Sequence, residues 1–156
     1  MDLQIKGRKA IVCASTRGLG RACAESLARE GVEVFINGRS HETAEQAARE
    51  IAHDTGGQVR AVVADITTEE GRARLVDACP EADILVTNNE GPPPGRFMDW
   101  GREQYLQAVE ANMLAPVLLI RAILPGMRAR RFGRIVNITS AMVKSPSPGM
   151  GLSTAA

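Results

Sequence analysis

The stretch Cys13-Ala14-Ser15-Thr16-Arg17-Gly18-Leu19-Gly20 follows a short apolar run and opens an amphipathic one. A loop in that place turns free backbone N–H groups and the positive end of a helix dipole toward an anion, and a dinucleotide pyrophosphate is the anion such loops serve. Gly18 and Gly20 let the backbone approach a ligand and let the helix pack closely on a sheet. The spacing differs from the common GxGxxG fingerprint, so its weight comes from its position between the first apolar run and the first amphipathic one. A second apolar run closes with Phe35-Ile36-Asn37-Gly38-Arg39-Ser40 and carries no acid. A carboxylate there would bind a ribose 2′-hydroxyl, whereas Arg39 suits a 2′-phosphate, helped by the Ser40 hydroxyl and by Arg17 in the expected fold. The reading is NADP(H) in preference to NAD(H), against the alternative of Arg39 as a solvated surface residue.

Bringing these groups together needs a regular scaffold. Lys9 to Cys13, Val32 to Asn37, Gln58 to Ala64, Asp83 to Thr87 and Arg134 to Thr139 are nearly continuous Val- and Ile-rich runs. They read as parallel strands covered on both faces. Between them Gly18 to Glu30, His41 to His53, Thr67 to about Cys79 and Trp100 to Met127 read as helices. The alternation predicts an α/β, Rossmann-type doubly wound parallel sheet with helices on both faces and right-handed crossovers. In the last helix Tyr105, Val109, Asn112, Met113, Val117, Ile120 and Leu124 recur at helical spacing, which predicts a core-facing stripe with Asn112 in need of a partner. At roughly 30 residues per βαβ unit the chain holds about five strands, fewer than the six of a complete dinucleotide fold. Lys144 to Ala156, rich in Pro, Gly and Ser, reads as a loop leading into a helix that is not there. Residues 1–156 are therefore expected to form a single dinucleotide-binding domain with the C-terminal part of the fold missing.

Composition narrows the remaining possibilities. The chain has 156 residues, 44% hydrophobic and 24% charged, with a net charge of +1, which argues against disorder and gives no global pull toward nucleic acid or anionic membrane. No apolar run approaches the ~20 residues of a spanning helix, and Met1 to Arg8 is too polar for a secretory signal. Cys13, Cys23 and Cys79 are odd in number and form no CxxC pair, so a reducing cytoplasm is expected and no metal site. Arg128, Arg130, Arg131 and Arg134 read as a solvated helix C-terminus. A nucleic-acid role would need more charge and aromatic platforms.

The first loop resembles the TGxxxGxG of short-chain dehydrogenases/reductases, with Cys13 and Ala14 where that family has Thr and Gly. A methyl group at position 14 is expected to be tolerated only at negative φ. Arg17 sits where many NADP-preferring members carry a basic residue. By the same resemblance Asp65 contacts the adenine and Ile66 packs on its ring; read alone, this is a helix N-cap region with Thr67 or Thr68 capping. Asn88-Asn89-Glu90-Gly91 is similar to the family's NNAG, which implies that Asn88 supports the cofactor and the sheet. Glu90 replaces the alanine and is expected to face either the nicotinamide or solvent. Asn112 matches a helix Asn that holds a water beside the active-site lysine; read alone, it bonds a backbone carbonyl.

Ile135-Val136-Asn137-Ile138-Thr139-Ser140 resembles the fifth strand that ends in the catalytic serine, here Ser140. The family's tyrosine position holds Ser153, a far weaker acid than a phenol, and the lysine position falls one residue past Ala156. The wording of the motifs is nearest to 3-oxoacyl-carrier-protein reductase-like members. It implies an NADP(H)-dependent oxidoreductase moving hydride between nicotinamide and a small-molecule ketone or secondary alcohol, in a complete protein that is a homodimer or homotetramer. The alternative is a catalytically inactive dinucleotide-binding member serving as a sensor or structural subunit.

Overall fold

The computed structural model describes residues 2–156. Five strands, β1 (Lys9–Val12), β2 (Glu33–Gly38), β3 (Val59–Val63), β4 (Ile84–Thr87) and β5 (Arg134–Asn137), form a parallel sheet in the order β3-β2-β1-β4-β5. Helices α1 (Gly18–Arg29), α2 (His41–Thr55), α3 (Glu69–Ala78), α4 (Arg102–Val109), α5 (Ala115–Ala129) and the short α6 (Gly151–Ala155) complete it. The chain order reverses beside β1, where β2 lies on one side and β4 on the other, and such a reversal opens a crevice at the strands' C-terminal ends. This is the doubly wound arrangement expected from the alternating runs.

Successive residues of each strand feed opposite faces. Ile11, Phe35 and Leu85 pack against Leu75 of α3 and Leu119, Ile123 and Met127 of α5. Val12, Val34 and Ile36 pack against Ala24 and Ala28 of α1 and Ala47, Ala48 and Ile51 of α2. The alanines let α1 and α2 lie close to the sheet beneath the phosphate-facing loops. Leu119 is fully buried; truncating it to alanine would cost about 2–5 kcal/mol.

The helix ends follow from local chemistry. Thr68 caps α3 by accepting from the Gly71 N–H at 3.0 Å, and α2 ends at Gly56 in the left-handed conformation, φ +67°. At the start of α1, Arg17 makes no side-chain cap, so the first amides of that helix lack a side-chain acceptor.

The last helical stretch departs from the expected stripe. A π turn, Glu110–Leu114, joins α4 to α5, and a π turn holds more residues than an α turn, so it rotates α5 relative to α4. The row facing the sheet is Ala115, Leu119, Ile123 and Met127, while Met113, Val117 and Leu124 are exposed. The helical run 102–129 spans 28 residues and is long and apolar enough to cross a membrane by length and composition, contrary to expectation. In this fold its inward row covers one face of the sheet.

Two further expectations are corrected. Arg130 is not simply solvated: it donates to the Ala82 carbonyl at 2.7 Å and lies 3.5 Å from Asp83, tying the end of α5 to the foot of β4. Arg8 and Arg134 sit over the Phe132 ring at 3.8 and 4.6 Å. The last residues are not a bare loop either. They form turns and α6, with Leu152 buried, and the Gly95 N–H donates to the Gly149 carbonyl at 2.9 Å. A Cβ on Gly151 would fall 2.6 Å from the Trp100 ring, so glycine permits the close seating of α6.

Candidate functional site

A cavity of about 560 Å³ opens at the C-terminal ends of β1, β2, β3 and β4. Ala14, Thr16, Arg17, Gly18 and Leu19 line it from the first loop, Arg39 and Ser40 from the end of β2, Asp65 and Ile66 after β3, and Asn88 and Glu90 after β4. Asn37, Gly38, Thr43, Ala64 and Asn89 line it as well and were not foreseen. Asn37 carried a readable signal, being a polar residue at the end of an apolar strand.

Ser15 and Gly20 are supports rather than wall. Ser15 is fully buried; its hydroxyl donates to the Val12 carbonyl at 2.6 Å and accepts from the Asn37 N–H at 2.9 Å. The Asn37 side chain donates to the Val62 and Ala64 carbonyls at 3.2 and 2.9 Å and accepts from the Ala14 N–H at 3.3 Å. One amide thus fastens the first loop to the ends of β2 and β3. A Cβ on Gly20 would lie 2.5 Å from the Ala14 carbonyl oxygen, and the Asn88 amide donates to that same oxygen at 3.2 Å. Ala14 adopts φ +45°, against the expectation of a negative value, because the loop turns back there to offer its carbonyl to Asn88.

Charge gathers at the outer rim of this cavity. Glu90 faces neither the neighbouring cavity nor bulk water alone. Its two carboxylate oxygens bond Arg17 at 3.1 Å and Arg39 at 2.8 Å. Asp65 accepts from the Thr67 N–H at 3.0 Å and the Thr67 hydroxyl at 2.7 Å, and these bonds hold its carboxyl below the ordinary carboxylate value, with Arg39 adding to the effect. Capping by Thr68 and cavity lining by Asp65 therefore coexist.

A second cavity, of about 620 Å³, adjoins the first and shares Leu19, Asn88 and Asn89 with it. Ser140, Asn112, Ser153 and Gly91 line it, so Gly91 belongs here and not to the first cavity. Met113, Val117, Ile120 and Ile138 give it apolar walls. The Ser140 hydroxyl accepts from the Met142 N–H at 3.2 Å and keeps its own proton for donation. Asn112 donates to the Ala108 carbonyl at 3.1 Å, and Asn89 reaches the Ala111 carbonyl at 3.0 Å, bracing the π turn that turns Asn112 into the cavity. Thr87 donates to Asn137 at 2.8 Å beneath them.

Comparison with known proteins agrees with this geometry. A family model described as short chain dehydrogenase matches residues 8–156. An uncharacterized oxidoreductase of Bacillus subtilis (strain 168) is 37% identical over 151 residues, covering 96% of this chain and 57% of the relative. A 3-oxoacyl-[acyl-carrier-protein] reductase of Aquifex aeolicus (strain VF5) is 34% identical, covering 91% of this chain and 59% of the relative. The crystal structure of L-sorbose reductase from Gluconobacter frateurii, complexed with NADPH and L-sorbose, superposes with a TM-score of 0.93 at 31% identity, covering 99% of this chain and 60% of that one. The chain thus spans less than two thirds of the length of the relatives it matches. With the glycine loop, the strand order and the paired cavities in register, the chain belongs to the short-chain dehydrogenase family of oxidoreductases, which bind a nicotinamide dinucleotide.

Proposed function

We propose that this chain provides the dinucleotide-binding part of an NADP(H)-dependent oxidoreductase that moves hydride between nicotinamide and a small-molecule ketone or secondary alcohol, of the 3-oxoacyl reductase type. The observation that carries this reading is the pair of cavities joined at Leu19, Asn88 and Asn89, one rimmed by arginines and one walled by apolar groups around hydroxyls. The residues fit the cofactor. The tight packing at Gly20 and the uncapped start of α1 form a cradle with amide donors for a pyrophosphate. Arg17, Arg39 and Ser40 would take a 2′-phosphate, and Asp65 and Ile66 the adenine. When bound, the cofactor supplies a hydride donor or acceptor. Ser140 holds the substrate oxygen through its hydroxyl proton, and Asn112 orients the polar groups beside it. That L-sorbose reductase carries NADPH supports the choice of cofactor.

Titration with NADPH and NADH tests the cofactor reading. NADPH is expected to bind at least about tenfold more tightly, the worth of a charge-assisted hydrogen bond or two, and Arg39→Ala should erase the difference. Equal affinities in the unsubstituted protein would refute it.

A second reading is favoured by Ser153. An aliphatic hydroxyl lines the cavity where the family pattern has a tyrosine, and it would be a poor proton donor. An inactive member would bind NADPH without oxidising it across a panel of ketones, whereas turnover excludes that reading. We further take residues 1–156 as one domain of a cytoplasmic homodimer or homotetramer. Its thiols are free, and Val117 and Leu124 on α5 offer an apolar face for assembly.

A further inference from the structure

Glu90 stands where the arginines and the dinucleotide would meet. Its two oxygens take up both guanidiniums, Arg17 from the first loop and Arg39 from the end of β2. All three residues line the first cavity, so the bridge links three of the segments that rim it. The backbone at position 90 is held in place, since the Glu90 N–H donates to the Asn89 side-chain oxygen at 2.8 Å. The chain continues as Gly91-Pro92-Pro93-Pro94, and consecutive prolines stiffen that segment. A carboxylate in this arrangement offers each guanidinium one anionic oxygen, as a phosphate would, with a smaller charge.

We propose that Glu90 is a tethered stand-in for the 2′-phosphate. It occupies Arg17 and Arg39 in the free protein and must be displaced when a 2′-phosphorylated dinucleotide binds. The proposal rests on the NADP(H) reading. Displacement is feasible because the bridge is exposed: Glu90, Arg39 and Arg17 side chains are 58%, 70% and 83% accessible. An exposed pair shifts an equilibrium by no more than about fivefold, whereas a phosphate monoester brings nearly twice the charge. The bridge therefore lowers the affinity for the phosphorylated cofactor by the fraction of time it is closed. NADH leaves the two arginines paired with Glu90 and makes no such demand. Glu90 in this way narrows the preference for NADPH over NADH that the two arginines would otherwise confer.

The test is fluorescence titration of NADPH and NADH against the unsubstituted protein, Glu90→Gln and Arg39→Ala, with circular dichroism to verify folding. Glu90→Gln should raise the NADPH-to-NADH affinity ratio about two- to fivefold, and the gain should shrink as salt rises to about 0.5 M. An unchanged ratio, or equal gains for both cofactors, overturns the stand-in role; equal gains would mark a simple steric lid. If Arg39→Ala leaves the ratio untouched, the NADP(H) reading fails and the proposal with it. If Arg39→Ala lowers the ratio while Glu90→Gln does not raise it, only the proposal fails.

Discussion

Ala14 and Gly18 both adopt left-handed backbone in the first loop, at φ +45° and +60°, so exchanging their residue types isolates one physical effect. An L-residue in that region costs roughly 1–2 kcal/mol. Replacing alanine by glycine relieves this, but the freer unfolded chain takes back about 0.4–1 kcal/mol. Ala14→Gly should therefore stabilise the protein by about 0.5–1 kcal/mol net, with little packing lost because the methyl group is only half-buried. Gly18→Ala should destabilise by a similar amount. No heavy atom lies within 4 Å of the position its Cβ would take, so conformational strain acts there without a clash. Urea denaturation followed by circular dichroism measures both. With m near 1–3 kcal/mol/M, the midpoints should move by roughly 0.2–1 M in opposite directions at constant m. A lower midpoint for Ala14→Gly together with an unmoved or higher one for Gly18→Ala would refute the assignment of strain to position 14.

Gly20→Ala should be harsher, since the new methyl carbon would sit 2.5 Å from the Ala14 oxygen and 2.9 Å from the Asn88 amide. A loss of about 1–3 kcal/mol and a fall in NADPH affinity are expected in the same titrations, and retention of both properties would contradict the packing described. The thiols should separate cleanly by reactivity. Burial pushes Cys13 up to about 12 and Cys79 up to about 11, so an aromatic disulfide reagent at neutral pH should label Cys23 alone in the native protein and all three cysteines in urea. Both buried thiols are kept protonated by the fold. Their contribution to stability is complete below the ordinary thiol value of 9.0 and falls as pH rises from there toward about 12. Native labelling of Cys13 would overturn this placement.

Runs of Val and Ile were enough to locate the five strands, because β1, β2 and β4 are buried almost throughout and leave no polar alternation to misread. The edge strands β3 and β5 are partly exposed, against the expectation of cover on both faces, since each has a neighbour on one side alone. The glycine loop and the acid-free end of β2 were legible from residue type and order, whereas singling out Ser140 at the end of its strand leaned on the family resemblance. The long helix was not. Val117 and Leu124 are as apolar as Leu119 and Ile123, and periodicity alone gives no notice of a π turn that changes which row faces the sheet. The reversed φ of Ala14 follows from how the loop closes onto Asn88, a contact 74 residues away. Glu90 was likewise hidden: it meets Arg39 across 51 residues and Arg17 across 73. Only the strand order brings those three segments to one rim.

That strand order also bears on how the chain is made. β1 is the centre of the sheet, yet one of its two partners, β4, pairs with it across about 74 residues. At a synthesis rate of about 5–20 residues per second, β1 waits some 4–15 s for that neighbour after it has been translated. Its other neighbour, β2, is available early and brings β3 with it. The nascent chain thus passes through a half-sheet with the apolar edge of β1 unpaired, and it is most open to aggregation or chaperone capture in that interval.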